Sequence, residues 1–580
     1  KPYPTIRLYE VNVINVMLRM QSTLFCVSLI YLFAVENIYC FSTSSYSWKP
    51  RDWERALMDL PFEVPQPVVL NNFIGKLPKG LDGVLYKAGP AKFGRNQQSY
   101  SHWLEGDGAV LRLEFCAKHQ EVKFSCRYVA TETFQKEEKA GRILSRGTFG
   151  TSKQDGWNAF DTQLKNPANT NAVRVGNCVL AMSEVGLPYQ MDPFTLETKG
   201  PETLDGKLRS GTAATTTIPF LDRILSFGNA ISAHYRDVPL LADNQKETSS
   251  LVFAGLRQNA LNGDTLVDLF ELDKKTGKIL RETKQVVLSD TGFPPHDMAC
   301  TIKHTIWITT PASGNLLPYI LGLKGPAECL VFRRNASSTL HLVQRSVKGM
   351  DERPVVKKFS LPRCIHPIHY GNSWEDEDGC ITVIASCWDT PTIAEMTKSG
   401  ESMLGSWSSV VNGDFSDVPS QPLLKVTQPK DTGANIKQIA SGEIGHIDYP
   451  KPHPDRAGRK CKYIFAITSA PSNDGKPTSV APPQSFCKVD LESNSISDLW
   501  YAGPRSFLDD FVLVPKESGV CSNFGDDEEN VWLIAPRFHA SDKTTSFVIL
   551  DGKNLGKGPI FEARLDHHIP WGLHGSWHSS

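Results

Sequence analysis

Along most of this chain apolar residues come in short runs closed by turn-forming residues, and the spacing of a long amphipathic helix is rare. Residues 305–310, 330–332, 381–385, 463–468 and 531–535 are β-rich runs, most with Gly, Pro, Asn or Asp nearby. Four segments repeat one design: a strand-like run, an Asp, a turn and a second run. They surround Asp192, Asp273, Asp490 and Asp551. The Asp caps its turn by accepting backbone N–H bonds, and a following Gly or Asn tolerates the tight geometry. One such hairpin is common in any β protein. Four of them, separated by further short strands, predict an all-β chain built as a propeller with four-stranded antiparallel blades. A helix is expected within residues 48–60, and the Ser/Pro/Asn/Gly-rich stretch 469–483 is expected to be a long exposed loop.

Composition narrows the function classes. With 62 basic and 63 acidic residues the net charge is −1, so no nucleic-acid partner is expected. The apolar fraction of 40% and charged fraction of 22% are those of an ordinary globular protein. Thirteen cysteines, without a C-x-x-C pair, argue against a disulfide framework or a zinc site. Asn335-Ala336-Ser337 is a lone glycosylation sequon. The chain begins at Lys1, with Met17 and Met20 as candidate starts. From Met17, Arg19 provides a small positive region and residues 24–35 an apolar stretch of signal-peptide length, too short to span a bilayer. A Ser/Thr-rich segment free of acidic residues follows, from Cys40 to Ser47. Residues 1–50 therefore read as a two-part targeting presequence, a signal peptide over about 17–40 and then a transit-like segment. That order resembles plastid addressing in algae, with the secretory pathway as the alternative. Residues 51–580 read as one domain.

Four histidines stand in distinctive contexts: Ser232-Ala233-His234-Tyr235, Pro295-His296-Asp297, His369-Tyr370-Gly371-Asn372 and Gly572-Leu573-His574-Gly575. Neutral imidazole is the commonest ligand for a mid-row transition metal. Four imidazoles with no coordinating carboxylate or thiolate suit iron(II) with positions left open for dioxygen. The gaps between them are 62, 73 and 205 residues (296−234, 369−296, 574−369). In a propeller these gaps fit ligands supplied by different blades to a central axis. His102, His304, His446, His567, His568 and His578 are expected to be structural.

The chain resembles the carotenoid cleavage oxygenases. The resemblance rests on Gly83 to Pro90 with His102 to Gly108, Ala168 to Asn171 with Leu180 to Glu184, and the four histidine blocks in order, from about residue 61 to 578. It implies a seven-bladed β-propeller with a helical or loop cap over a tunnel entrance, and His234, His296, His369 and His574 as the ligands of Fe(2+). It further implies carboxylates behind three of the histidines, at Glu184, Asp448 and Asp510. The last two stand where the family usually has Glu, which puts direct hydrogen bonds from the shorter side chains in question. The first block reads His234-Tyr235 where His-Pro is commonest. An alternative alignment on Thr212-Ala213-Ala214 would remove one ligand.

What the resemblance implies chemically is an iron(II)-dependent dioxygenase that cleaves a double bond of a carotenoid or apocarotenoid, with dioxygen as co-substrate and carbonyl products. No acid or base side chain is required beyond the metal centre. Trp103, Phe160, Trp374 and Trp407 are candidate tunnel-lining aromatics. Leu316, Leu317, Tyr319, Ile320 and Leu321, followed by Lys324, form the expected patch for peripheral, monotopic membrane contact. The runner-up is a non-catalytic carotenoid-binding propeller. A propeller hydrolase would need paired carboxylates, which Glu375-Asp376 and Asp509-Asp510 could imitate.

Overall fold

The computed structural model describes residues 48–579 except 154–155, 242–246, 290, 292–293, 315, 334–335, 346–353, 391–408, 417, 442–444, 472–479 and 518–526. Residues 1–47 of the presequence, Asn335 of the sequon and Trp407 thus lie outside the described residues.

The short apolar runs become antiparallel strands. Among the described residues they form seven sheets of four to six strands, with three small two-stranded ribbons beside them. The sheets are the blades of a seven-bladed propeller. Blade I holds Asn171–Val175, Cys178–Met182, Tyr189–Met191 and Thr198–Pro201. Blade II is built on Ser250–Asn259, Thr265–Asp273 and Ile279–Leu288, with Ala230–Ile231 and Arg236–Asp237 on its inner edge. Blade III runs from Ala299–Cys300 through His304–Thr309 and Thr339–Gln344 to Val356–Ser360. Blade IV comprises Ile365–Glu375, Ile381–Asp389, Leu423–Gln428 and Asn435–Ile439, and blade V comprises Ile447–Lys451, Tyr463–Thr468, Ser485–Asp490 and Ser495–Tyr501. The expected loop at 469–483 connects two strands of blade V.

The last two blades close the ring with strands from opposite ends of the chain. In blade VI, Phe561–Arg564 pairs outward with Phe73–Gly75, while Ser506–Leu508 and Val512–Pro515 form the inner edge against Val531–His539. In blade VII the C-terminal strand Gly575–Ser579 pairs with Asp82–Lys92. All four Asp turns form. Asp192 accepts from the Phe194 and Thr195 amides, Asp273 from Thr276, Asp490 from Glu492 and Asp551 from Lys553.

The core is divided between blade faces. Separate buried clusters fill the contacts VII–I, I–II, II–III, III–IV, IV–V and VI–VII. Between V and VI, Phe486 meets Phe511 edge-to-face at 5.3 Å. This explains why central strands such as Ile381–Asp389 are buried along nearly their whole length.

Near the axis the backbones come very close. A Cβ on Gly89 would sit 2.5 Å from the Gly572 Cα, two residues before His574. Gly89→Ala is expected to destabilise the fold by about 1–3 kcal/mol, read as a lower melting temperature. An unchanged melting temperature would contradict this.

Helices are few. The one expected within residues 48–60 spans Pro50–Glu54 and continues as a 3-10 turn to Leu57, ending where Met58 turns extended. Glu132–Ala140 is capped by Thr131 and closed by Gly141 in the left-handed region. Pro219–Ile224 and Leu317–Ile320 are single short turns. Loops between the blades tie together as a cap: Phe160 N donates to Ile320 O, Thr212 Oγ1 to Thr162 O, and Ala327 N to Thr148 O. No helix among the described residues is long and apolar enough to cross a membrane.

Candidate metal centre

Each histidine lies at the inner end of a blade. His234 sits between the two inner-edge strands of blade II, and His296 just before the inner strand of blade III. His369 is within the inner strand of blade IV, and His574 immediately precedes that of blade VII. Around His369 the register slips twice, between Pro367 and His369 and between Tyr370 and Asn372. Such bulges re-aim side chains.

The rings converge. His234 and His296 Nε2 are 3.0 Å apart, and His296 and His369 Nε2 are 3.4 Å apart. The His574 ring centroid lies 4.6 Å from that of His234 and 5.1 Å from that of His369. His234 rather than Thr212 supplies the blade II side chain. Tyr235, the departure beside it, stacks on Phe253.

Three carboxylates stand behind the rings. Glu184 Oε1 is 2.7 Å from His296 Nδ1, Asp448 Oδ1 is 2.6 Å from His369 Nδ1, and Asp510 Oδ2 is 2.9 Å from His574 Nδ1. The two aspartates therefore reach their histidines directly, without an intervening water. An imidazole whose Nδ1 faces a carboxylate carries its proton there, leaving Nε2 as a lone-pair acceptor. His296 and His369 each have a carboxylate at Nδ1, and their Nε2 atoms are 3.4 Å apart. Such lone pairs repel unless a cation sits among them. A proton relieves one pair; a metal ion relieves them all. His234, His296 and His369 offer ligand atoms within 4.8 Å of one another.

Electrostatics favour neutral imidazoles at two positions. Burial drives His234 well below the usual imidazole value, helped by the neighbouring imidazoles. Burial likewise lowers His574 to about 4, against the pull of Asp510. His296 goes the other way: burial opposes its charge, but Glu184 together with Asp297 and Asp448 raises it above the usual imidazole value.

Burial also opposes ionisation of Asp448, yet His369 and its hydrogen bond hold this carboxyl down at about 2, against an ordinary 3.8. A depressed carboxyl stabilises the fold above its unfolded value and loses that contribution as pH falls through the folded one. Metal-free protein is therefore expected to lose stability between about pH 4 and pH 2 more steeply than Asp448→Asn, read by acid unfolding. Parallel curves would contradict the pairing.

Several supporting residues have no sequence signal of their own. Lys451 Nζ grips both Asp510 oxygens, at 2.7 and 2.9 Å. Asp509 accepts from Gly572 N at 2.8 Å and pairs with Lys87 at 3.0 Å, fixing the loop that carries His574. Asp297 binds the Arg236 guanidinium and Tyr370 N. Asp509 and Asp510 are thus each committed to a lysine, and Glu375 faces His304 and Lys303. These engagements remove the basis for a hydrolase. Among the histidines expected to be structural, His102 stacks between Trp103 and Phe149, and His568 Nε2 bonds to Asp59 O.

The aromatic expectations need correction. Phe160 is 72% exposed on the cap, Trp374 is in the core between blades IV and V, and Trp103 packs edge-to-face on Trp571. In the apolar patch, Tyr319 is buried, with its hydroxyl on Thr162 O and Arg146 over its ring. Leu316, Leu317, Ile320 and Leu321 are exposed. Trp157, Phe160 and, on the short helix Pro219–Ile224, Phe220 (71% exposed), Leu221 and Ile224 are exposed apolar residues as well.

A profile of the family described as retinal pigment epithelial membrane protein matches residues 57–579. The apocarotenoid-15,15'-oxygenase of Synechocystis sp. is 29% identical over 539 residues, covering 92% of this chain and 98% of the relative. The chloroplastic carotenoid cleavage dioxygenase 7 of Arabidopsis thaliana is 24% identical over 579 residues, covering 91% and 90%. The crystal structure of cobalt-substituted Synechocystis ACO matches with a TM-score of 0.77 at 27% identity, covering 92% of this chain and all of that one.

Proposed function

The chain belongs to the carotenoid cleavage oxygenase family, and on that premise we propose that it is an iron(II)-dependent dioxygenase cleaving a double bond of a carotenoid or apocarotenoid. The observation that carries this reading is the convergence of four imidazoles, three of them backed by carboxylates at Nδ1. His234, His296, His369 and His574 would hold the iron, whose contribution when bound is to activate dioxygen. Glu184, Asp448 and Asp510 fix the tautomer and aim of three rings. The four electrons of the cleaved double bond, with both oxygen atoms of dioxygen, balance two carbonyl products. No further reductant is then needed. The protein's own task is to hold neutral ligands, exclude water and place one double bond.

The test is iron content after anaerobic iron(II) loading, with dioxygen uptake and product analysis on an apocarotenoid aldehyde. One iron per chain, with uptake matched to carbonyl pairs formed, is expected. No iron and no uptake would move the assignment to a non-catalytic carotenoid-binding propeller.

A water-insoluble polyene requires access to a bilayer. The cap offers it through Leu317 (57% exposed), Ile320, Leu321, Leu323, Phe220 and Ile224, a patch suited to monotopic insertion. The double variant Leu317→Glu, Phe220→Glu is expected to lose most vesicle binding while keeping its iron. Retained binding would refute that surface. Plastid delivery through residues 1–50 is the accompanying proposal, tested by the location of a fluorescent protein fused behind them.

A further inference from the structure

Away from the propeller axis, a cavity of about 400 Å³ opens between blades IV and V, within the size range of small-molecule sites. Its lining follows from strand register. Trp374, Thr382, Thr427 and Asn435 stand in one row across blade IV, because each is paired with the next. Ile384, Lys425 and Lys437 form the adjacent row on the same face. Lys425 and Lys437 are therefore direct cross-strand neighbours, an arrangement that repels unless an anion answers it.

Among the described residues neither lysine forms an ion pair. The one acidic residue lining the cavity, Glu492, is near Lys462 at 3.6 Å. Lys460 adds a third cation at the rim. The floor is of a different character. Trp374 is 4% exposed and its indole N–H has no acceptor, and the buried Leu491 and Cys461 lie beside it. Cations at the rim, Thr427 and Asn435 on the wall and an aromatic floor make up a site with a charged end and an apolar end.

We propose that this cavity binds a small organic anion, a phosphate or carboxylate on an apolar or aromatic body. The headgroup lies between Lys425 and Lys437, and the body rests on Trp374. The site is separate from the histidine cluster, although Trp374 shares its strand with His369.

Calorimetric titration of the full chain with phenyl phosphate and with inorganic phosphate, at low salt, tests it. Phenyl phosphate is expected to bind at roughly millimolar or tighter, and inorganic phosphate more weakly because it lacks a body for the floor. Lys437→Gln, an exposed substitution that leaves the core intact, should weaken phenyl phosphate roughly tenfold, and adding Lys425→Gln should weaken it further. Absence of binding by both probes, or affinity unchanged in the variants, would overturn the proposal. Equal affinity for the two probes would overturn the role of the floor.

Discussion

His369→Ala is expected to purify with almost no iron and to lose dioxygen uptake by more than about 100-fold. His369 is the most constrained of the four candidate ligands. Its strand slips register on both sides of it, its Nδ1 is 2.6 Å from Asp448, and its Nε2 faces His296. Removing the ring deletes one candidate ligand and one hydrogen bond to a charged carboxylate, worth about 1.5–3 kcal/mol by itself, while Asp448 keeps the Ser386 hydroxyl and the Tyr449 amide as donors. Loss of activity could then reflect unfolding, so coordination must be read directly. Cobalt(II) loaded into wild-type protein reports its geometry by visible absorption, independently of turnover. The variant is expected to lose that spectrum while keeping its β-rich circular dichroism. A variant that retained wild-type iron and spectrum would exclude His369 as a ligand.

Asp510→Ala is expected to lower iron affinity by about 10–100-fold. Asp510 is shared: one oxygen accepts from His574 Nδ1, and both are gripped by Lys451. Lys451→Met is the informative companion. It leaves the His574 contact in place but strips the buried carboxylate of its cation, at a cost of about 2 kcal/mol. It should therefore lower stability more than iron affinity, whereas Asp510→Ala should do the reverse. Because the two residues touch, their effects should not add, and the double variant should be less damaged than the sum. Strict additivity would mean that Lys451 does nothing for Asp510.

Much of this arrangement was readable along the chain, because its signals are local. An Asp that caps its own turn needs only its next few neighbours, so the four hairpins at Asp192, Asp273, Asp490 and Asp551 appear as text. The histidines were readable for a related reason: each sits in its own short context. Lys451 was not, since a lysine two residues past Asp448-Tyr449 carries no mark of a carboxylate 59 residues away. Nor was the burial of Tyr319, whose hydroxyl partner, Thr162, is 157 residues distant. Phe160 and Trp374 were misplaced because an aromatic residue is equally suited to a tunnel, a core or a membrane-facing surface.

By itself, then, the sequence determined the all-β class, the hairpin rhythm and the histidine blocks that are candidates to bind a metal. All of these depend on backbone preferences and side-chain chemistry acting over a few residues. The tertiary structure alone decided that inner edges from blades II, III and IV bring His234, His296 and His369 within reach of one another with the His574 ring beside them, that residues 575–579 close the ring on residues 82–92, and that shortened carboxylates still reach their rings. These outcomes depend on packing between faces far apart in the chain, where a difference of an ångström separates a hydrogen bond from none.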